Sequence, residues 1–209
     1  YSTEYFANQA TDNFAFQRIG SRALKIGIVA THAKAELNQK WYILGGRKEG
    51  GIGVHVLGVG GSQQVSSREV DKVIGKYSEL DLKDTVVEAR IEDGYSFIIV
   101  HLPNETLLFN ETVAGKVGID QAWSILKGGT YSKPWRGIHG VFEPRLGQWV
   151  YGDKETNRLG ILDDTVATQY GEIAEWVLYT PFMYLDGASI DQLEIEIIPG
   201  HTVSDDATV

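Results

Sequence analysis

The chain carries five histidines, His32, His55, His101, His139 and His201, and no cysteine. None of the histidines stands in an H-x-x-H, H-E-x-x-H or H-x-H arrangement that would aim two imidazoles at one metal. His55 and His101 fall inside apolar stretches, where a strand histidine hydrogen-bonded to a neighbour is the ordinary reading. Without cysteine there are no disulfides, no thiolate nucleophile and no Cys-ligated metal, which fits a reducing compartment or a particle that does not rely on bridges. Serine hydrolysis would want G-x-S-x-G, and the nearest string, Gly60-Gly61-Ser62-Gln63, lacks the closing glycine. Gly51-Ile52-Gly53 lacks the third glycine of a dinucleotide loop and has no βαβ unit around it. The Gly45 to Gly61 run is expected instead to form two hairpin ends in which glycine supplies positive φ.

Paired carboxylates are the remaining enzyme signal. Propeller glycosidases place an acid and a base or nucleophile on loops around a central axis, and Glu143, Asp153, Asp163 and Asp164 could serve, with Trp135 and Trp149 as sugar platforms. Acids at strand ends more often form turns, and Trp more often fills a core. No catalytic, cofactor-binding or metal-ligating residue is therefore assigned, and no cofactor is expected. Calcium is the cation that Asp153 and Asp163-Asp164, hard oxygen ligands on turns, would suit best.

These residues must be held by a fold, and 209 residues with 43% apolar and 22% charged side chains are enough for a sizeable core. The formal net charge of −9 opposes a phosphate-gripping surface, and Arg18, Arg22, Lys25, Lys34 and Lys40 are scattered in the manner of a solvated face. There is no apolar run of about 18 residues, and Tyr1-Ser2-Thr3-Glu4 does not open a signal peptide. A soluble chain with no membrane contact is expected. Its start at Tyr rather than Met suggests an excerpt with sequence missing on at least one side.

Short apolar runs divided by Gly, Asn, Asp and Pro predict strands at 24–30, 40–44, 54–59, 86–91, 97–102, 106–109, 122–126, 137–142, 148–151 and 158–162. Tight connections such as Pro103-Asn104-Glu105 and Glu143 to Gly147 make consecutive strands antiparallel. Such an array hides its edges in a barrel, a sandwich or a ring of blades. Strand pairs recur at 41–44 with 54–57, 97–100 with 107–109, and 138–142 with 149–151, spaced by roughly 40 to 55 residues as in four-stranded propeller repeats. One segment is helical: Ser66-Ser67-Arg68-Glu69 fits a capping box with Ser66 as the cap, and Val70, Val73, Ile74 and Tyr77 form one apolar stripe. Val65 could complete a hydrophobic staple with it.

From Val65 to Asp186 the chain runs through an ordered set of short motifs: Ser66-Ser67-Arg68-Glu69-Val70-Asp71-Lys72-Val73-Ile74, His101-Leu102-Pro103, Leu107-Leu108-Phe109-Asn110, Trp123 to Tyr131, Trp135-Arg136-Gly137, Gly152-Asp153-Lys154-Glu155, Leu159 to Asp163, Gln169-Tyr170 and Leu178 to Pro181. In order and spacing this resembles the tail-hub, or packaged-DNA stabilisation, proteins of P22-like short-tailed phages. Before Val65, Glu4-Tyr5-Phe6 and Tyr42-Ile43-Leu44-Gly45 still look similar, whereas the Gly50 to Gly61 loop is this chain's own. The resemblance implies a non-catalytic, all-β protein of antiparallel propeller-like blades with a short peripheral helix, followed by the start of a further β domain. Residues 1–170 would be the propeller-like part, as an incomplete set of blades, and 171–209 would lead onward. Family members look like hexameric rings below the portal and adaptor, which close the DNA exit channel and dock the tail needle and tailspikes. By likeness the chain would be a virion component assembled in the host cytoplasm, without specific DNA binding. The alternatives are a carbohydrate-binding or glycosidase-type propeller and a cellular interaction scaffold.

Overall fold

The computed structural model describes residues 2–9, 14–20, 23–48, 50–58, 61–129, 133–163, 165–166, 168–173, 187 and 192. The chain divides into two compact units, residues 1–126 and 127–209. In the first, β1 (Phe6–Asn8) and β2 (Phe16–Arg18) form a hairpin, and β3 (Gly27–Ile28), β4 (Lys34–Leu37), β5 (Lys40–Gly46), β6 (Ile52–Gly58) and β7 (Gly61–Gln64) form a five-stranded sheet. Helix α1 (Arg68–Ile74) then leads to a four-stranded sheet of β8 (Val86–Glu92), β9 (Tyr95–His101), β10 (Thr106–Asn110) and, after α2 (Glu111–Val117), β11 (Trp123–Leu126). In the second unit β12 (Gly137–Glu143), β13 (Gln148–Asp153) and β14 (Leu159–Ile161) form a three-stranded sheet, followed by the hairpin β15 (Thr168–Gln169) and β16 (Glu172–Ile173).

Every one of these pairings is antiparallel. The three recurring strand pairs of the sequence are β5 with β6, β9 with β10, and β12 with β13, and each pair lies in a sheet of its own. Short connections produce this result, because a few residues can only return a strand alongside its predecessor in the opposite direction. Leu102 N–H donates to the Glu105 carbonyl across the Pro103-Asn104 turn, and Gly147 N–H donates to the Glu143 carbonyl. Asn38 and Gln39 join β4 to β5 with φ of 50° and 62°, the left-handed pair of a two-residue hairpin turn.

Alternation along these strands builds the core of the first unit. Residues directly opposite in a pair share a face, so Tyr42 with Val56 and Leu44 with Val54 stand on one side of the five-stranded sheet. Ile98 with Phe109 and Val100 with Leu107 likewise share a side of the four-stranded one. These side chains form one buried cluster with Val70 and Ile74 of α1, and each fully buried aliphatic contributes roughly 1.5–3 kcal/mol. Phe109 sits between two aromatic neighbours, 4.9 Å from Trp123 and 6.2 Å from Tyr42 between ring centroids.

Four expectations change. The cap of α1 is Ser67, whose hydroxyl accepts from Val70 N–H. Ser66 instead turns its hydroxyl to the sheet, accepting from Val54 N–H at 3.1 Å and from Gln64. Glu69 therefore falls one position short of a capping box and pairs with Lys72. The helix ends at Ile74, although Val73 and Tyr77 still pack on the core. The strand expected over 24–30 shrinks to Gly27–Ile28, because Leu24 is bridged to Thr3 instead.

The Gly45 to Gly61 run does form hairpin ends, yet its described glycines do not have positive φ. Gly45, Gly46 and Gly53 are needed for close approach instead: a Cβ on Gly45 would overlap the Gly27 carbonyl oxygen. Helix α2 was not expected at all. Asn110 caps it by accepting from Val113 N–H at 3.0 Å, and Gly118, with φ of 100°, ends it. An Asn, an acid in the first turn and a Gly seven residues past it were the available signal. The alternating segment 193–197, like most of 171–209, lies outside the described residues.

Candidate interaction surfaces

On the side of the five-stranded sheet away from Tyr42 and Leu44, alternation presents Trp41, Ile43 and Leu57. Ile43 and Leu57 are buried with Ile26 in a small second cluster, and Leu24 packs against it. The extended segment 2–5 runs over this face, held by paired backbone hydrogen bonds of 2.9 Å between Thr3 and Leu24 and by Thr3 Oγ1 donating to the Ile26 carbonyl. Between segment and sheet lies a groove of about 530 Å³. Ile28, Trp41, Ile43 and Leu57 give it an apolar lining, and Glu4, Lys34 and Gln39 add polar groups. Trp41 is 45% exposed.

The charges at the groove differ in their commitments. Glu4 is neutralised by Arg18 at 2.8 Å. Lys34 donates its ammonium to the Thr31 carbonyl, and no carboxylate among the described residues pairs with it. Of the other scattered cations, Lys40 bonds Glu111 at 2.9 Å, and Arg22 lies outside the described residues. Glu111 also accepts from Tyr42 Oη at 2.7 Å and from Asn38. Burial alone would raise the Glu111 pKa, but the hydrogen bonds from Lys40, Tyr42 and Asn38 outweigh it and hold the carboxyl below its ordinary value. Burial, with the same Glu111 contact, pushes the Tyr42 phenol well above its usual range.

In the second unit the two faces of the β12–β13–β14 sheet differ. Phe142 pairs with Trp149 on one side, and Tyr151 follows two residues along β13 on that same side, packing edge-on against the buried Trp135 at 4.9 Å. Val141, Val150 and Ile161 line up on the other side, where Val141 and Ile161 are exposed. Beside the sheet, Arg136 is clamped by Asp153 through Nε to Oδ1 at 2.9 Å and Nη2 to Oδ2 at 2.5 Å. Glu155 and Glu172 lie at 3.5 and 3.3 Å, and the Tyr170 ring faces the guanidinium at 5.0 Å. Asp153 also accepts from Glu155 N–H and Thr156 Oγ1. The Arg136 hydrogen bonds, with these additional donors, hold the Asp153 carboxyl far below the usual carboxylate range.

Of the candidate acids, Glu143 and Asp153 are not brought together. Glu143 and Asp153 stand at opposite ends of the β12–β13 hairpin, since Glu143 pairs with Gln148 and Asp153 with Gly137. The five steps along β13 from Gln148 to Asp153 span roughly 17 Å of strand, beyond the spacing of roughly 5–9.5 Å at which two carboxyls act on one glycosidic bond. Glu143 accepts from Arg145 N–H and Asp163 from Thr165 N–H and Oγ1, both turn contacts. Asp164 and His201 lie outside the described residues. Trp135 is core, and Trp149 is half-buried between Phe142 and Tyr151. His55 and His101 are buried; burial, with Arg47 nearby, lowers the His55 pKa, and His101 meets Glu88 at 3.4 Å. Among the described residues no group of three acids and histidines could hold a metal ion, and no helix is long and apolar enough to cross a membrane.

Successive antiparallel sheets of three to five strands, with only two short α-helices among the described residues, define an all-β protein. The family model described as bacteriophage P22 Gp10, β-propeller, matches residues 1–167, and the chain belongs to that tail-hub family of P22-like phages. It is 26% identical over 200 residues to the tail hub protein gp10 of Salmonella phage P22. That alignment covers 94% of this chain and 41% of the phage P22 protein, so the chain spans well under half the length of its relative.

Proposed function

We propose that this chain is the propeller part of a phage tail hub, a non-catalytic virion component that sits below the portal and retains packaged DNA. The observation that carries the proposal is the family match, whose span of residues 1–167 takes in the five-, four- and three-stranded sheets. Residues 1–170 form the propeller part and 171–209 lead into further β structure; the extent of the family match, residues 1–167, supports that division. The partners in this reading are portal or adaptor, tail needle and tailspikes, with self-association into a ring in the longer protein. The acidic balance of −9 supports a channel component that does not adhere to the genome.

The test is genetic and direct. A nonsense mutation early in the phage gene that encodes the chain should yield heads that package DNA and then lose it, seen as empty, tailless capsids by electron microscopy. Supplying the protein in trans should restore full particles. Mutant particles that keep their genome and infect normally would overturn the proposal.

A further inference from the structure

The groove between segment 2–5 and the five-stranded sheet combines three features that together describe a ligand. Its surface is largely apolar, with Ile28, Ile43 and Leu57 in the lining and the half-exposed Trp41 indole at one side. Its volume of about 530 Å³ is that of a site that encloses several side chains or one small ligand. Lys34 stands beside it with no carboxylate partner among the described residues, while the groove's own acid, Glu4, is already satisfied by Arg18. Among the lining residues the charge left over is the Lys34 ammonium; Glu36, opposite Trp41 on the same sheet face, lies outside the lining.

Segment 2–5 itself is extended. Thr3 spends both its N–H and its C=O on Leu24, and in extended chain the flanking residues direct theirs to the opposite side. Ser2 and Glu4 therefore offer backbone groups to a second extended strand, in the manner of an added β-strand. At the β4–β5 turn, Gln39 occupies a left-handed conformation, where glycine would cost less, and its side chain lines the groove.

We propose that this groove docks an extended peptide segment of a partner protein, with aliphatic side chains on the Ile28, Trp41 and Leu57 surface and an Asp or Glu carboxylate on Lys34. A saccharide fits less well, because sugar hydroxyls need several uncommitted polar side chains beside the aromatic ring. Here Glu4, Thr3 and Tyr5 are already engaged with Arg18, the Ile26 carbonyl and the Gly58 carbonyl, which leaves only Ser2, Lys34 and Gln39 beside the apolar surface of Ile28, Trp41, Ile43 and Leu57. That the partner is another tail component rests on the proposed function; the chemistry of the groove does not, so the binding test and the genetic test fail separately.

The experiment uses the 209-residue chain and two synthetic probes, acetyl-Leu-Asp-Leu-Val-amide and its Asn counterpart, with methyl α-glucopyranoside as a third. Binding is read from the Trp41 indole N–H resonance, assigned with Trp41→Phe. The Asp peptide should shift it saturably and bind roughly three- to five-fold tighter than the Asn peptide at low salt, the discrimination an exposed ion pair supplies. In Lys34→Gln, whose exposed side chain leaves the core untouched, the two peptides should bind alike. The proposal is overturned if neither peptide shifts Trp41, if the wild-type chain does not distinguish them, or if the glucoside alone shifts the indole, which would make the groove a glycan site.

Discussion

Replacing Asp153 with Asn tests whether the Arg136 cluster holds the second unit together. The Asp153 side chain is fully buried and that of Arg136 is 6% exposed, so the substitution strands a guanidinium that water cannot solvate. Removing one partner of a buried pair costs about 3–5 kcal/mol. Glu172 and Glu155 still approach Arg136 at 3.3 and 3.5 Å, but both are over 40% exposed, which places the expected loss near the lower end, about 3 kcal/mol. With a urea m-value of roughly 1–3 kcal/mol/M, the unfolding midpoint should fall by about 1–3 M. Adding Arg136→Met to Asp153→Asn should recover part of the loss, since the stranded charge is then gone. The pH dependence follows from the depressed folded pKa of Asp153. Its contribution is fully present above the unfolded value of about 3.9 and declines as pH falls below that toward the folded value. The difference between wild type and Asp153→Asn, measured by urea unfolding followed by circular dichroism, should be flat from pH 8 to 5 and shrink below pH 4. A loss under about 1 kcal/mol at pH 7, or one unchanged at pH 2.5, would refute the reasoning.

Ser67→Ala should cost about 1 kcal/mol as a lost helix cap. Ser66→Ala should cost about 1–3 kcal/mol by leaving the buried Val54 N–H without its acceptor; urea midpoints compare the two, and equal, negligible effects would contradict the assignment. Glu111→Gln should destabilise the first unit by roughly 1–2 kcal/mol through lost charge-assisted hydrogen bonds to Lys40, Tyr42 and Asn38. Because the folded pKa of Glu111 is lowered, that difference should fade as pH drops through the carboxylate range. Gly140→Ala would drive a methyl group into the buried Tyr151 ring and should cost about 1–3 kcal/mol, read as a lowered melting temperature. A gel-shift assay at about 0.15 M salt should show no complex with duplex DNA, because a chain of net charge −9 neutralises few phosphates; a tight complex would contradict the role assigned to its acidity.

What the sequence determined by itself is the part that depends on local pattern. Alternation of apolar residues and short turns specified nine of the ten expected strands to within about two residues, their antiparallel sense and the apolar stripe of α1, because each depends only on residues a few positions apart. The ordered motifs from Val65 onward carried the family. The choice between Ser66 and Ser67 as cap was decided by tertiary structure, since the Val54 N–H on another strand claims the first hydroxyl. So was the collapse of the 24–30 strand, where Thr3 takes Leu24 as its partner. Asp153 reads in sequence as a turn acid and a possible catalyst; only the approach of Arg136 from the neighbouring strand's start makes it a buried structural anion. The groove beside Trp41 had no signature either, because its walls come from residues near positions 4, 28, 34, 41 and 57. Bringing such distant positions together is the work of chain topology, and no local periodicity encodes it.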